Sequence, residues 1–132
     1  VILSGMSTME QVEDNLKTFQ DFSPLSEAED KEIESIVTEL RSRVQNGCTG
    51  CRYCMPCPAG VNIPGNFKVW NDYHMYRTYD HVKWSWEKEL KEEEKAKNCI
   101  KCGKCETLCP QKLSIRDNLV QVQKDLDERI FK

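Results

Sequence analysis

Eight cysteines in two tight groups constrain this chain more than any other feature. The first group is Cys48, Cys51, Cys54 and Cys57, followed by Pro58; the second is Cys99, Cys102, Cys105 and Cys109, followed by Pro110. Three thiols at short, equal spacing can wrap one face of a compact centre, while a fourth, set off by a longer step, points another way. A proline after the last thiol turns the chain and stops a helix from running back into the centre. Gly50 and Gly103 lie between cysteines, where the lack of a side chain lets backbone amides approach. Leu, Ile, Val and Phe make up only about 22% of the 132 residues, close to the disorder-prone range. Something besides apolar burial is therefore expected to add stability.

The second group reads Cys-x2-Cys-x2-Cys-x3-Cys-Pro, the bacterial ferredoxin spacing for 4Fe-4S clusters. The first group departs from it, because its last gap holds two residues, Met55 and Pro56. Two other uses of eight cysteines fit less well. Four disulfides suit an oxidising compartment, whereas this acidic chain shows no secretory signal. Structural zinc usually takes two separated Cys-x2-Cys knuckles, not four cysteines in one run closed by proline. The expectation is two 4Fe-4S clusters. In two-cluster ferredoxins the fourth cysteine of each motif serves the other cluster. Carried over, that would place one cluster on Cys48, Cys51, Cys54 and Cys109, and the other on Cys99, Cys102, Cys105 and Cys57.

The formal charge is −3, which excludes a strongly basic nucleic-acid binder. No apolar run approaches the roughly 18 residues of a membrane span, so no membrane partner is expected. Residues 1–3 are apolar but are followed at once by polar residues, unlike a signal peptide. The expected location is cytoplasmic, and a chain beginning at Val1 is expected to be a piece of something longer. A cluster with four thiolates carries roughly −2 when oxidised, so Lys101, Lys104 and Lys112 would offset that charge or attract an acidic partner.

Helical periodicity surrounds the cysteines. Residues 1–3 read as the end of a buried strand. Ser7 opens a helix with Glu10 as a capping box, and Met9, Val12, Leu16 and Phe19 share its apolar face. Ser26 and Glu29 open a second helix with Ile33, Ile36 or Val37, Leu40 and Val44 in a stripe, ended by Gly47. The two cysteine groups are separated by 41 residues, long enough to need structure of its own. There, Asn62-Ile63-Pro64 leads into a helix with Phe67, Trp70, Tyr73 or His74, and Arg77 on one face. A further helix is expected over residues 80–97, with Val82, Trp86 and Leu90 inward and Glu92 to Glu94 solvated. Ser114 and Asp117 cap a last helix with Ile115, Leu119, Val122, Leu126 and Ile130 inward. His74 and His81 read as packing or surface residues, and Trp70, Trp84 and Trp86 as core. The expected class is all-α: an α-helical ferredoxin with two cysteine motifs, preceded by the last strand and helices of a TIM barrel.

That last element comes from a resemblance. Residues 3–16, Leu-Ser-Gly-Met-Ser-Thr-Met-Glu-Gln-Val-Glu-Asp-Asn-Leu, resemble the final strand, loop and helix of an aldo/keto reductase barrel. The helix after Pro24-Leu25-Ser26 resembles that family's C-terminal helix. The remainder resembles the ferredoxin extension carried by a prokaryotic branch of the family, itself similar to the α-helical ferredoxin domains of larger flavin and iron-sulfur enzymes. The resemblance implies a barrel remnant at residues 1–46 and an α-helical 4Fe-4S ferredoxin domain at residues 47–132. It implies that Gly5, Met6, Ser7 and Thr8, with Gln11, Asp14 and Asn15, contact the adenosine end of NAD(P)H in the full-length parent. That placement fits the rule that barrel ligands bind at strand C-termini. Many members carry basic residues where Gly5 and Gln11 stand, so no NADP preference is implied. The family's catalytic Asp, Tyr, Lys and His belong to earlier parts of the barrel, so this chain alone is not expected to be catalytic.

The expected function is an iron-sulfur electron-transfer module of an NAD(P)H-linked oxidoreductase. Its expected partner is the N-terminal barrel of the same polypeptide, with the further redox partner unknown. Two alternatives are a zinc-stapled interaction domain and a stand-alone ferredoxin-like subunit.

Overall fold

The computed structural model describes residues 3–20 and 22–130, without the side chains of residues 128 and 129. Every regular element among them is helical. The chain separates into two compact units, Val1–Val37 and Thr38–Lys132, and the division falls inside the second helix.

In the first unit, α1 spans Met9–Gln20 and α2 starts at Glu27, running to Arg43. The start of α1 differs from expectation by one residue. The capping box is Thr8 with Gln11: Thr8 Oγ1 accepts from the Gln11 N–H at 3.3 Å, and Gln11 Oε1 accepts from the N–H groups of Thr8 (3.2 Å) and Ser7 (2.7 Å). A glutamine at this position satisfies two donors that Glu10, one residue earlier, is not placed to reach. At α2 the expected box is present, with Glu29 Oε2 accepting from the Ser26 N–H (2.8 Å) and hydroxyl (2.7 Å). Neither helix buries a residue. The stripe expected to pack inward is open to solvent, with Leu16 58%, Phe19 54% and Ile36 53% exposed. The strand expected at residues 1–3 falls partly on Val1 and Ile2, which lie outside the described residues, and Leu3 is not in a strand.

The second unit holds the core. Its centre is α3 (Ile63–Tyr76) packed on α6 (Ile115–Gln123). Asn62 caps α3 by accepting from the Gly65 N–H at 3.2 Å, with Pro64 in the first turn, where a missing N–H costs nothing. Ile63, Phe67 and Trp70 fall on one face and are buried, and Ile115, Leu119, Val122 and Leu126 meet them from α6. Arg77 does not extend the α3 face as expected. It stands past the last turn in a left-handed conformation, and its N–H closes the helix on the Tyr73 carbonyl. Likewise α2 ends at Arg43, well before Gly47.

The single helix expected over residues 80–97 is broken. It begins as α4 (Tyr79–Trp84), widens into a π-helical turn at Ser85–Glu89 and becomes extended at Leu90. Two 3-10 turns follow, at Glu92–Glu94 and Ala96–Asn98. The cause is tertiary. The fully buried Asn66 of α3 donates to the carbonyls of Asn62 and Glu94 (both 2.8 Å) and accepts from the Ala96 N–H at 2.8 Å. The Asn62 N–H also donates to Glu94 O, at 3.0 Å. Backbone groups committed to α3 are unavailable to a helix ladder, and this overrides local propensity. Val82, Trp86 and Leu90 are still buried, as expected, whereas Trp84 is 54% exposed and not core. Glu92 and Glu93 are exposed.

After α5 (Lys104–Leu108), α6 continues into a π-helical stretch, Lys124–Ile130. Two carboxylates there give the buried indoles acceptors: Trp70 Nε1 donates to Asp125 at 3.0 Å and Trp86 Nε1 to Asp127 at 3.3 Å. Buried indoles usually need such partners.

Candidate metal centres

All eight cysteines are free thiols. Cys48, Cys51 and Cys54 lie on the loop after α2, Cys99 and Cys102 on the loop after the second 3-10 turn, and Cys105 in the first turn of α5. Cys109 ends α5, with its N–H donating to the Glu106 carbonyl. The two loops share one backbone pattern. Gly50 and Arg52 flank Cys51 with φ of 69° and 65°, and Lys101 and Gly103 flank Cys102 with φ of 56° and 79°. In both motifs the residues on either side of the second cysteine are therefore left-handed. Alternation of handed conformations turns successive N–H groups toward one side, the arrangement of an anion-binding concavity.

The fourth cysteines cross between motifs. Cys57 lines a narrow cleft with Cys99, Cys102 and Cys105, and Cys54, Ile63, Leu119 and Arg116 are also part of its wall. Cys109 in turn lies close enough to Cys54 to act electrostatically on its thiol, as Cys48 and Cys51 also do. The shorter gap before Cys57 does not keep it from the second motif. Among the described residues no three His, Cys, Asp or Glu side chains converge as they would on a single metal ion. The donor set is wholly thiol, and at the second motif the thiols line one shared cleft. These residues fit a sulfur-ligated cluster.

Burial opposes the thiolate at both centres. It pushes the Cys54 thiol above its ordinary 9.0 and the Cys105 thiol up to about 11, where the nearby Glu106 charge adds to the shift. A ligated metal must displace these protons, and binding therefore releases them.

Side chains that the cysteine spacing does not reveal hold the loops. Asn71 of α3 accepts from the N–H groups of Gln45 and Asn46 (both 3.0 Å) and donates to the Asn46 carbonyl at 2.7 Å. Asn46, 4% exposed, then accepts from the Cys48 N–H at 2.9 Å. On the other side, Glu106 accepts from the Arg116 N–H and Nε (both 2.9 Å) and pairs with its guanidinium at 2.8 Å. Arg116 holds the Glu106 carboxyl below its ordinary range. Glu106 thus takes over at the start of α6, where Ser114 was expected to cap but makes no side-chain bond. Neither relay had a local sequence signal, because the partners are 25 and 10 residues apart.

The proposed nucleotide-loop residues lie in the other unit. Gly5, Met6, Ser7, Thr8, Gln11 and Asp14 are exposed, and Asn15 is half-buried. The Gln11 side chain is engaged in the α1 cap, and Asn15 Nδ2 donates to the Gln11 carbonyl at 2.7 Å. Met6 and Asn15 line one apolar groove with Leu3, Leu16 and Phe19. No described helix is long and apolar enough to cross a membrane.

Comparison with known proteins agrees with the cysteine geometry. A family described as a 4Fe-4S dicluster domain matches residues 47–113. The chain is similar to a protein of Archaeoglobus profundus named as like the C subunit of heterodisulfide reductase. The two are 26% identical over 106 residues, which cover 80% of this chain and 55% of that protein. The chain thus spans about half the length of this curated relative. No solved structure matches. Neither match concerns an aldo/keto reductase, so that reading rests on the resemblance of residues 3–16. With the match covering residues 47–113, both cysteine motifs included, the chain belongs to the 4Fe-4S dicluster domain family.

Proposed function

We propose that residues 47–132 hold two 4Fe-4S clusters, one on Cys48, Cys51, Cys54 and Cys109 and one on Cys99, Cys102, Cys105 and Cys57, and relay single electrons within a larger oxidoreductase. The observation that carries this reading is Cys57 in the cleft of the second motif, and Cys109, close enough to Cys54 to act on its thiol, agrees with it. When bound, each cluster supplies a one-electron redox couple. The chain's own part is to present the thiolates, turn backbone N–H groups toward them and keep water from the apolar side formed by Ile63 and Leu119. A relative named for a part of heterodisulfide reductase supports a role inside a reductase.

The finer reading places residues 1–46 as the C-terminal remnant of an aldo/keto reductase barrel in a cytoplasmic parent. There Gly5, Met6, Ser7, Thr8, Gln11, Asp14 and Asn15 meet NAD(P)H, and the N-terminal barrel of the same polypeptide is the partner. The apolar stripes that α1 and α2 leave exposed are what such a barrel would cover. A nicotinamide gives two electrons as a hydride and each cluster takes one, so the parent must split the pair, for which a flavin is the usual chemical means.

Iron, sulfide and zinc content of anaerobically purified protein, with EPR after dithionite reduction, tests the first reading. About eight iron and eight sulfide per chain, with signals of two interacting reduced clusters, is the expected result. Cys109→Ser should then perturb the cluster of the first motif and Cys57→Ser that of the second. Stoichiometric zinc that iron and sulfide cannot replace overturns the reading in favour of a structural metal. For the parent, cluster reduction by NAD(P)H is expected, and its failure in the full-length protein counts against the barrel assignment.

A further inference from the structure

We propose that the cleft beside Cys99, formed between the second 3-10 turn and α6, is the docking surface for an acidic one-electron carrier protein. The proposal rests on the two-cluster reading and adds to it the partner's chemistry and the point of contact. Three lysines, Lys97, Lys101 and Lys124, line this cleft, and no carboxylate does. Its floor is apolar, from Ala96, Leu119 and Val120, and Val120 is 49% exposed. It shares Cys99, Lys101 and Leu119 with the thiol-lined cleft of the second motif. A protein seated there touches a cluster ligand directly.

Charge complementarity names the occupant. Between Lys95 and Lys124 the chain carries seven basic residues against Glu106 and Asp117, although its overall charge is −3. Glu106 is already paired with Arg116. Lys97 is held by Glu92, while Lys101 and Lys124 make no ion pair among the described residues and remain available to a partner's carboxylates. The cleft beside the first motif also holds a cation, Arg52, but unlike this one it is lined by a carboxylate, Asp72, which pairs with Lys68 at 2.6 Å. Ile100, 66% exposed beside Cys99, adds an apolar contact next to the lysines, in keeping with the apolar core and polar rim of protein interfaces.

Lys101 itself is placed at a conformational cost. It holds φ of 56° where the corresponding residue of the first motif is Gly50, at 69°. A lysine adopts the left-handed region less readily than a glycine, and backbone of this kind clusters at functional loops. In the exchange one electron leaves the reduced partner and one is gained by the other, with no bond made and no proton moved. Carrier and cluster domain are each other's reductant and oxidant.

The test uses cluster-loaded protein of verified iron content and a fluorescein-labelled peptide of twelve glutamates, with flavodoxin as an acidic carrier. Binding of both probes should weaken at least tenfold in Lys101→Glu/Lys124→Glu, and less than twofold in the charge-matched control Lys31→Glu/Lys88→Glu. Carbodiimide cross-linking of the peptide should fall on Lys101 or Lys124. Binding should also weaken steeply between low and physiological salt. Equal loss in both double variants, cross-links spread over distant lysines, or no binding by iron-loaded wild type overturns the docking surface and leaves the cluster assignment standing. Protein without iron overturns the cluster assignment first.

Discussion

Arg52 and Gly103 hold the same left-handed backbone conformation, φ 65° and 79°, each one residue after the second cysteine of its motif. The conformation belongs to the loop and not to the residue. A glycine adopts it freely, and an arginine adopts it at a cost of roughly 1–2 kcal/mol. Gly103→Ala is therefore expected to destabilise the protein by about 1–2 kcal/mol. Space is not the cause, since an added Cβ would meet Arg116 only at 3.8 Å. Gly103→Asn should lose less, because asparagine tolerates this region. Arg52→Gly should be neutral or gain up to about 1 kcal/mol, the strain relieved being partly offset by glycine's unfolded-state entropy. Urea unfolding of the cluster-loaded variants measures all three.

The Asn71–Asn46–Cys48 relay should set how well the first motif is held. Asn71→Ala removes an acceptor shared by two N–H groups and a donor to Asn46 O, at a cost of about 1–2 kcal/mol. Asn71→Asp keeps the acceptor and loses the donor, and should fall between. Iron retention during gel filtration should drop from about eight toward about four per chain in Asn71→Ala. Loss of both clusters together would show that the relay does not act on the first motif alone.

Asn66 pins the segment that leads into Cys99. Asn66→Ala leaves the Ala96 N–H without its acceptor and removes both donations to Asn62 O and Glu94 O, and should cost about 2–4 kcal/mol. Asn66→Asp should be no better, because it sets a carboxylate against two carbonyl oxygens. Amide hydrogen exchange is expected to speed up across residues 94–99 before the rest of the unit opens.

His74 should make stability fall on acidification. Burial lowers its pKa below 6.5, and Arg77 acts in the same direction while Asp125 opposes. Its Nε2 is buried without a hydrogen-bond partner, 4.0 Å from Asp125 Oδ2. Below pH 6.5 the unfolded chain takes up a proton that the folded chain refuses, so the contribution is complete above 6.5 and lost as pH falls toward the folded value. His74→Gln should flatten the dependence of the melting temperature between pH 7.5 and 5.5. An unchanged slope would assign it to other groups.

The cysteine chemistry and most of the core were legible in the sequence. Ligand spacing is local, so the two motifs and their proline stops can be read without a fold. The stripes Phe67–Trp70 and Ile115–Leu119–Val122–Leu126 obey helical periodicity, and these residues are buried, whereas the equally buried Ile63 read as part of the turn before the helix. The same periodicity failed at α1 and α2, whose apolar faces are exposed. A stripe records that a face needs a cover, not where the cover is.

What only the tertiary structure decided depends on groups far apart in the chain. The break at Glu92–Glu94 follows from Asn66 claiming Glu94 O and the Ala96 N–H, which no local propensity encodes. The caps from Glu106 and Asn71 and the acceptors that Asp125 and Asp127 offer to the indoles are long-range in the same way. The meeting of Cys57 with the second motif and Cys109 with the first was carried over from other ferredoxins, and it takes the packing of α3 on α6 to bring the two loops together. Local spacing and periodicity determined the chemistry and the helices. Hydrogen bonds and packing across tens of residues decided where the helices end and which thiols share a space.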